Sequence, residues 1–422
     1  MLLLFGSLIL CFAIGIPIFA ALGIAAGLVL VQKDISLLSV PQNLFEALDA
    51  FPLMAIPFYV LAGSLMQNGG ISRRLMDLAN AIVGWIRGGL GSASVLTSMF
   101  FSTMSGSSSA TTAAVGGIMI PAMEKKGYPR NFAAAGIAVA GELGAIIPPS
   151  LPMIIYALVA NVSVGSMFLA GIFPGLMLGV SLIVTIAIVA KLKNFDDITP
   201  ITPKAWIVNV WRALLHSGFA LMMPVIILGG IYSGIFTATE ASVVAVVYGL
   251  LVGMFVYKEI RIHDLRRIFA ETAILTGTIM LIVGFASLFA YLLAINNVSQ
   301  HLSALIGSVA SNAFMFLLLA NVLLLVIGMF MEALACIVIL GPMLAPIAAS
   351  YGIDPIHFGM VIIFNVAIGM VTPPVGVNLF IACQISGLSL EQLIRPLLIF
   401  LAVLIMNLMI VSYVPAISLA LL

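Results

Sequence analysis

The chain has 422 residues, of which 63% are hydrophobic and 7% charged, and its formal net charge is +1. A soluble domain carries roughly 25% charged residues, so no water-soluble fold hides this much apolar surface, and the near-neutral balance argues against nucleic-acid binding. The composition calls for a lipid bilayer as the solvent.

A spanning helix needs about 20 mostly apolar residues. Long uncharged runs lie at 2–31, 166–190, 213–236, 272–300 and 396–422, with shorter ones between them, which predicts about ten to twelve membrane passes. The runs are too long and uniform for barrel strands, whose lumen-facing positions are polar at every second residue, so the fold class is all-α and polytopic. Residues 1–31 have no basic segment ahead of the apolar stretch and read as the first helix, not as a cleavable signal. Cys11, Cys336 and Cys383 sit in apolar surroundings without metal-like spacing and read as packing thiols.

Further along, Arg73, Arg74 and Arg87 flank a short amphipathic helix. The segment Ser102-Thr103-Met104-Ser105-Gly106-Ser107-Ser108-Ser109-Ala110-Thr111-Thr112 then interrupts an apolar stretch, leaving pieces at 91–101 and 113–123 that are each too short to span. That pattern predicts a re-entrant helical hairpin with a hydroxyl-rich tip. Non-helical backbone survives at membrane depth only inside protein or beside a water-filled cavity, and such a tip offers oxygens suited to a hard cation. The competing reading is that Ser, Gly, Ala and Thr merely allow close helix packing.

Next comes Gly144-Ala145-Ile146-Ile147-Pro148-Pro149-Ser150, where a Pro pair removes two N–H donors and forces the preceding residue out of helical geometry. Basic loops at 191–212 (Lys191, Lys193, Lys204, Arg212) and 258–267 (Lys258, Arg261, Arg266, Arg267) fit the cytoplasmic side. Between them Glu240 follows Thr237 and Thr239 and reads as part of a helix cap. A second hairpin at about 314–348 has its tip at Phe330-Met331-Glu332-Ala333, and a second break at Thr372-Pro373-Pro374-Val375-Gly376-Val377-Asn378 follows it.

One offset of 225 residues relates these features. Gly116 pairs with Gly341, Pro121 with Pro346, Gly127 with Gly352, Gly144 with Gly369, and Pro148-Pro149 with Pro373-Pro374. A two-residue slip extends the match to Ile71-Ser72 and Val298-Ser299, giving units of roughly 1–190 and 213–422. Glu124-Lys125-Lys126-Gly127-Tyr128-Pro129-Arg130 is basic, whereas its counterpart at 349–355 has no Lys or Arg. Equivalent loops therefore face opposite sides, as in the inverted-topology repeats of secondary transporters. A broken helix leaves free carbonyls at one end and a positive dipole end at the next, suited to a cation and an anion respectively; a plain Pro kink is the alternative for either doublet alone. Among Glu142, Glu240, Glu271 and Glu332, Glu332 is the acid expected to line a cavity. His216, His263, His301 and His357 form no Ser/His or HExxH constellation, so the chain does not read as an enzyme.

At Met104-Ser105-Gly106-Ser107-Ser108-Ser109-Ala110-Thr111-Thr112 with Pro121, at Gly144-x-x-Ile147-Pro148-Pro149-Ser150, Gly171-Ile172-Phe173-Pro174-Gly175, Gly234-Ile235-Phe236-Thr237-Ala238-Thr239-Glu240-Ala241 and Thr372-Pro373-Pro374-Val375-Gly376, the sequence resembles the large membrane subunit of tripartite ATP-independent periplasmic (TRAP) transporters. The resemblance implies an elevator-type fold in the bacterial inner membrane. It also implies sodium-coupled uptake of an organic acid, sialic acid or a C4-dicarboxylate, delivered by a periplasmic substrate-binding protein, with a small four-helix membrane subunit as partner. It divides the chain into scaffold and arm (1–90), transport domain (91–190), connector, scaffold and second arm (191–312), and transport domain again (313–422).

Carried over by position, one sodium ion would lie among Ser102, Thr103, Ser105, Ser108, Gly144, Ile147 and Pro149, and its mirror among Gly328, Gly369, Thr372 and Val375. The substrate would sit near Ser108, Thr111, Ser150, Glu332, Pro374 and Asn378. A stand-alone sodium/divalent-anion symporter is the nearest rival, but its Ser-Asn-Thr tip signature is missing. A proton-coupled exchanger using intramembrane carboxylates is another.

Overall fold

The computed structural model describes residues 2–195 and 201–422; positions 196–200 of the basic connector lie outside the described residues. The first unit contains α1 (Leu2–Ala13), α2 (Ile18–Gln32), α3 (Ser39–Leu48), α4 (Ala55–Asn68), α5 (Ile71–Val83), α6 (Gly89–Ser105), α7 (Ser108–Lys125), α8 (Arg130–Gly141), α9 (Leu143–Ile146), α10 (Leu151–Val159) and α11 (Val164–Lys193). After the connector helix α12 (Pro203–His216), the second contains α13 (Gly218–Tyr232), α14 (Ala238–Leu251), α15 (Ile262–Ile295), α16 (Val298–Val309), α17 (Ala313–Gly328), α18 (Ala333–Ser350), α19 (Pro355–Met370), α20 (Val377–Ser386), α21 (Leu390–Tyr413) and α22 (Ala416–Leu419). No strand occurs among the described residues.

The inverted repeat is visible in helix boundaries. α7 and α18 each have 18 residues, with both ends displaced by 225 positions, and α8 and α19 begin at the same displacement. The amphipathic helices α5 and α16 begin 227 positions apart, which is the two-residue slip. The hairpins are α6–α7 and α17–α18, and the broken helices are α8–α10 and α19–α20. Each unit reaches into the other: α10 packs on α18, while α20 packs on α7 and α8.

The number of passes differs from the expectation. Among the described residues five helices are long and apolar enough to cross, or up to nine if each bent pair counts as one span. Several apolar runs are interrupted, and the shorter apolar helices Leu3–Phe12, Ile18–Gln32, Pro355–Met370 and Val377–Ser386 stand outside that count. Residues 1–31 form two helices instead of one, since Gly15 takes φ +81° and Pro17 precedes the next start. A 66° bend similarly separates α12 from α13.

The hydroxyl-rich segment is also more helical than the interrupted pattern suggests. Ser102 Oγ donates to Ser98 O at 2.6 Å, Thr103 Oγ1 to Phe100 O at 2.7 Å and Thr97 Oγ1 to Ala93 O at 2.6 Å. Such back-bonding satisfies a hydroxyl within its own helix, so the non-helical tip shrinks to Gly106 and Ser107, with Gly106 at φ +58°. Elsewhere Glu240 closes a capping box with Thr237, as expected: Thr237 N donates to Glu240 Oε2 at 2.8 Å and Glu240 N to Thr237 Oγ1 at 3.2 Å.

Arg74 ties α5 to the loop before α15. Its guanidinium donates to Gly70 O at 2.9 Å, pairs with Glu259 at 2.7 Å and lies 3.6 Å from the centre of the Tyr257 ring. Its side chain is 15% exposed, so these contacts are only partly screened. Arg74→Ala is expected to lower stability by about 1–2 kcal/mol, and Arg74→Lys, which loses the planar stack, should recover only part of it in thermal unfolding.

Candidate functional site

Both hairpin tips present the N-terminus of an 18-residue helix. Ser107 caps α7, accepting from Ala110 N at 3.4 Å, and Glu332, 225 positions later, caps α18, accepting from Leu334 N at 3.0 Å. The sequence is suited to this: short oxygen-bearing side chains, or a carboxylate, satisfy the first amides of a helix, and the positive dipole end favours negative charge.

Each tip is pressed against the broken helix of its own unit through glycine. A β-carbon on Gly144 would lie 2.5 Å from Ser107 O and 2.7 Å from Thr111 Oγ1. One on Gly369 would lie 2.6 Å from Gly328 Cα. Small residues let helix backbones approach this closely in membranes, and the two contacts occupy equivalent places in the repeat.

The breaks themselves are alike. Pro148-Pro149 and Pro373-Pro374 are both cis, and α8–α9 bends by 42° before α10. Leu151 N donates to Gly106 O at 3.0 Å, which joins the first break to the first tip.

A cavity of about 250 Å³ lies where the two tips meet α4 and α15. From α6–α7 it is lined by Ser105, Gly106, Ser107, Ser108 and Ser109, from the second tip by Glu332, Ala333 and Leu334, and from α4 by Gly63, Ser64 and Gln67. None of its lining residues is Lys or Arg. An anion entering it would meet the N-termini of α7 and α18 and several hydroxyls.

Of the residues assigned to substrate, Ser108 and Glu332 line this cavity. Thr111 is fully buried behind the tip, donating to Ser107 O at 2.9 Å and lying 2.9 Å from Ser105 Oγ. Ser150 is buried and donates to Ala145 O at 2.5 Å. Asn378 is buried against α7 and α8, accepting from Ser109 Oγ at 3.1 Å, and Pro374 is exposed. The substrate group is thus split between the cavity wall and the layer behind it.

Of the residues assigned to the first sodium ion, Ser105, Ser108 and Gly144 gather at the tip, and the carbonyl of Pro149 lies beside Gly106. Ser102 and Thr103 turn their hydroxyls back into α6, and Ile147 packs on Gly175. In the mirror group Gly328 and Gly369 are in backbone contact, Thr372 N donates to Gly369 O at 3.0 Å and Thr372 Oγ1 to Ile368 O at 2.6 Å. Val375 is half-buried in the same break.

Sequence reasoning did not select Gln67, Ser64 or Ser109, which also line the cavity. The first two lie on α4, far from the tip in sequence and without a repeat signal. Ser109 stands inside the hydroxyl run, where only helical phase separates it from Ser108.

The family model described as "Tripartite ATP-independent periplasmic transporter, DctM component" matches residues 5–417. The C4-dicarboxylate TRAP transporter large permease protein DctM of Pseudomonas aeruginosa is 44% identical over 402 residues, covering 95% of this chain and 93% of that protein. The isethionate TRAP transporter permease protein DctMQ of Oleidesulfovibrio alaskensis is 41% identical over 416 residues, covering 98% of this chain and 65% of that longer protein. Among solved structures, the YdaH transporter of Alcanivorax borkumensis, described as having an unusual topology, has a TM-score of 0.58 at 16% identity, covering 89% of this chain and 86% of that one; this is a likeness of fold.

Proposed function

Because the chain belongs to the DctM-component family of TRAP transporters, we propose that it carries an organic acid inward together with sodium, taking the acid from a periplasmic binding protein. The chain is a multi-pass secondary-transport permease of the inner membrane. A small four-helix membrane subunit is its proposed partner. The longer DctMQ relative supports this, since this chain spans only 65% of it and leaves room for such a subunit.

The observation that carries the sodium reading is the pair of equivalent glycine contacts, Gly144 on the first tip and Gly328 with Gly369 at the second. Each brings backbone carbonyls and hydroxyls of a hairpin and a broken helix together where a hard cation would take them as ligands. Ser105, Ser108, Thr111 and the carbonyls around Gly144 and Pro149 form the first proposed site. Gly328, Gly369, Thr372 and Val375 form the second. Bound cations and the N-termini of α7 and α18 would then meet the charge of the acid.

A C4-dicarboxylate is the first choice of cargo, by the Pseudomonas relative, and sialic acid the second. In an elevator reading, the hairpins and broken helices at 91–190 and 313–422 move as one body past the remaining helices, carrying the cavity across. Thr372→Val is expected to raise the sodium concentration needed for half-maximal uptake several-fold; an unchanged sodium requirement removes Thr372 from the site. Competition of labelled succinate uptake by unlabelled fumarate, sialic acid and isethionate identifies the acid.

A further inference from the structure

We propose that α12 lies flat on the basic side of the membrane and binds anionic phospholipid there, holding α5 at the bilayer surface. With 14 residues α12 is too short to span, and it turns by 66° into α13. None of its residues is buried. Its packed side is narrow: Trp206, Val210 and Ala213, which recur at helical spacing, are half-buried, and the helix rests on α5. Near its start Trp206 Nε1 donates to Ile82 O at 3.1 Å, and the Trp206 ring meets that of Trp85 edge-on with 6.3 Å between centroids. Just past its end Ser217 Oγ donates to Arg74 O at 2.8 Å. α12 therefore runs antiparallel along α5 and is bonded to it at both ends.

The rest of α12 divides into an apolar and a polar face. Ile207, Trp211, Leu214 and Leu215 fall at i, i+4, i+7 and i+8, one stripe of the helix, and are 59%, 59%, 37% and 65% exposed. An uncovered stripe of this kind on a helix that cannot span is suited to the headgroup–acyl boundary, with its apolar side toward the chains, and tryptophan favours that depth. Asn209, Arg212 and His216 share the polar face, and Lys204 stands in the first turn.

Cations crowd the same place. Gly88, two residues beyond the end of the Trp85–Ile86 turn, lies against Ala187 and Ala190 of α11, which sets Arg87 near Lys191 and Lys193 at the end of that helix. Together with Lys204 and Arg212 they are exposed and have no ion-pair partner among the described residues. Against them stand Asp77 of α5 and, outside the described residues, Asp196 and Asp197. Membrane topology by itself explains positive charge on one side. The apolar stripe adds the acyl-chain contact that a free anion would not use, and the charge beside it selects an anionic headgroup over a zwitterionic one. The Arg212 guanidinium offers a phosphate two parallel donors.

Tryptophan fluorescence of the chain in phosphatidylcholine vesicles carrying a minor fraction of brominated lipid tests this. Brominated phosphatidylglycerol is expected to quench about threefold more effectively than brominated phosphatidylcholine at equal mole fraction and low salt, and Trp211→Phe should remove most of the quenching. The preference should vanish in the double variant Lys204→Gln with Arg212→Gln and shrink at high salt. Lys125→Gln with Lys126→Gln, the same charge change at the end of α7, should leave it intact. Equal quenching by the two lipids, quenching that survives Trp211→Phe, or an equal loss in both double variants overturns the proposal. So does protection of Trp211 from both lipids when the small membrane subunit is added, which would make the stripe a protein interface. Uptake should rise with phosphatidylglycerol content in the wild type and not in the α12 double variant; this effect rests on the transport proposed above. If no lipid supports uptake, that reading fails, and the quenching still decides what α12 binds.

Discussion

Gly369→Ala is expected to abolish uptake and lower stability by about 1–3 kcal/mol, the usual range for forcing an extra methyl into a packed core. The added carbon would lie 2.6 Å from Gly328 Cα, and a backbone atom cannot step aside as a flexible side chain can. Something must give at the second tip, so the break at Thr372–Val375 moves off the hairpin. Gly144→Ala should act alike at the first tip, through Ser107 O at 2.5 Å. Gly117→Ala is the control, because that exposed site has open space around it and gains helix propensity of about 1 kcal/mol. Paired uptake and thermal-unfolding measurements check all three; wild-type uptake by Gly369→Ala would remove the close contact from the functional account.

Thr111→Val is expected to raise the sodium concentration for half-maximal uptake by more than about tenfold, equivalent to about 1.4 kcal/mol of binding. The substitution keeps shape while removing the hydroxyl that lies 2.9 Å from both Ser105 Oγ and Ser107 O. Those oxygens then lose their organising partner in a buried place, where an unsatisfied group costs about 1–3 kcal/mol. Ser105→Ala should have a smaller effect of the same sign. Sodium titrations of uptake measure both, and sodium curves overlying the wild type would exclude a cation at the first tip.

The fold was legible where punctuation residues act through local sterics. The Pro doublets and glycines related by 225 residues marked the repeats, hairpins and breaks, because Pro and Gly dictate backbone geometry whatever surrounds them. Glu332 was legible as a cavity acid because an ionisable group between apolar helices has few other places to go. Pass number was less so, since apolar runs do not register a bend such as that at Gly15–Pro17. The hydroxyl run was misread in extent because serine and threonine serve equally as tip residues and as back-bonded helix residues.

Within the site, positions on a single motif were easier to find than positions brought in from elsewhere. Ser108 could be chosen from the tip itself, whereas Gln67 reaches the cavity only because α4 packs against α6. The bond between Glu142 and Asn378 joins residues 236 positions apart and lies outside the repeat correspondence, so no periodicity announces it. Long-range side-chain pairing of this kind depends on the crosswise packing of α20 on α7 and α8.

Uptake of labelled succinate into proteoliposomes holding this chain and the small membrane subunit, with the sodium gradient and the periplasmic binding protein omitted in turn, tests the central claim most directly. The account predicts uptake only when both are present, with the same requirement for whichever acid proves to be the cargo. Uptake that persists without sodium, or that is indifferent to the binding protein, would contradict it.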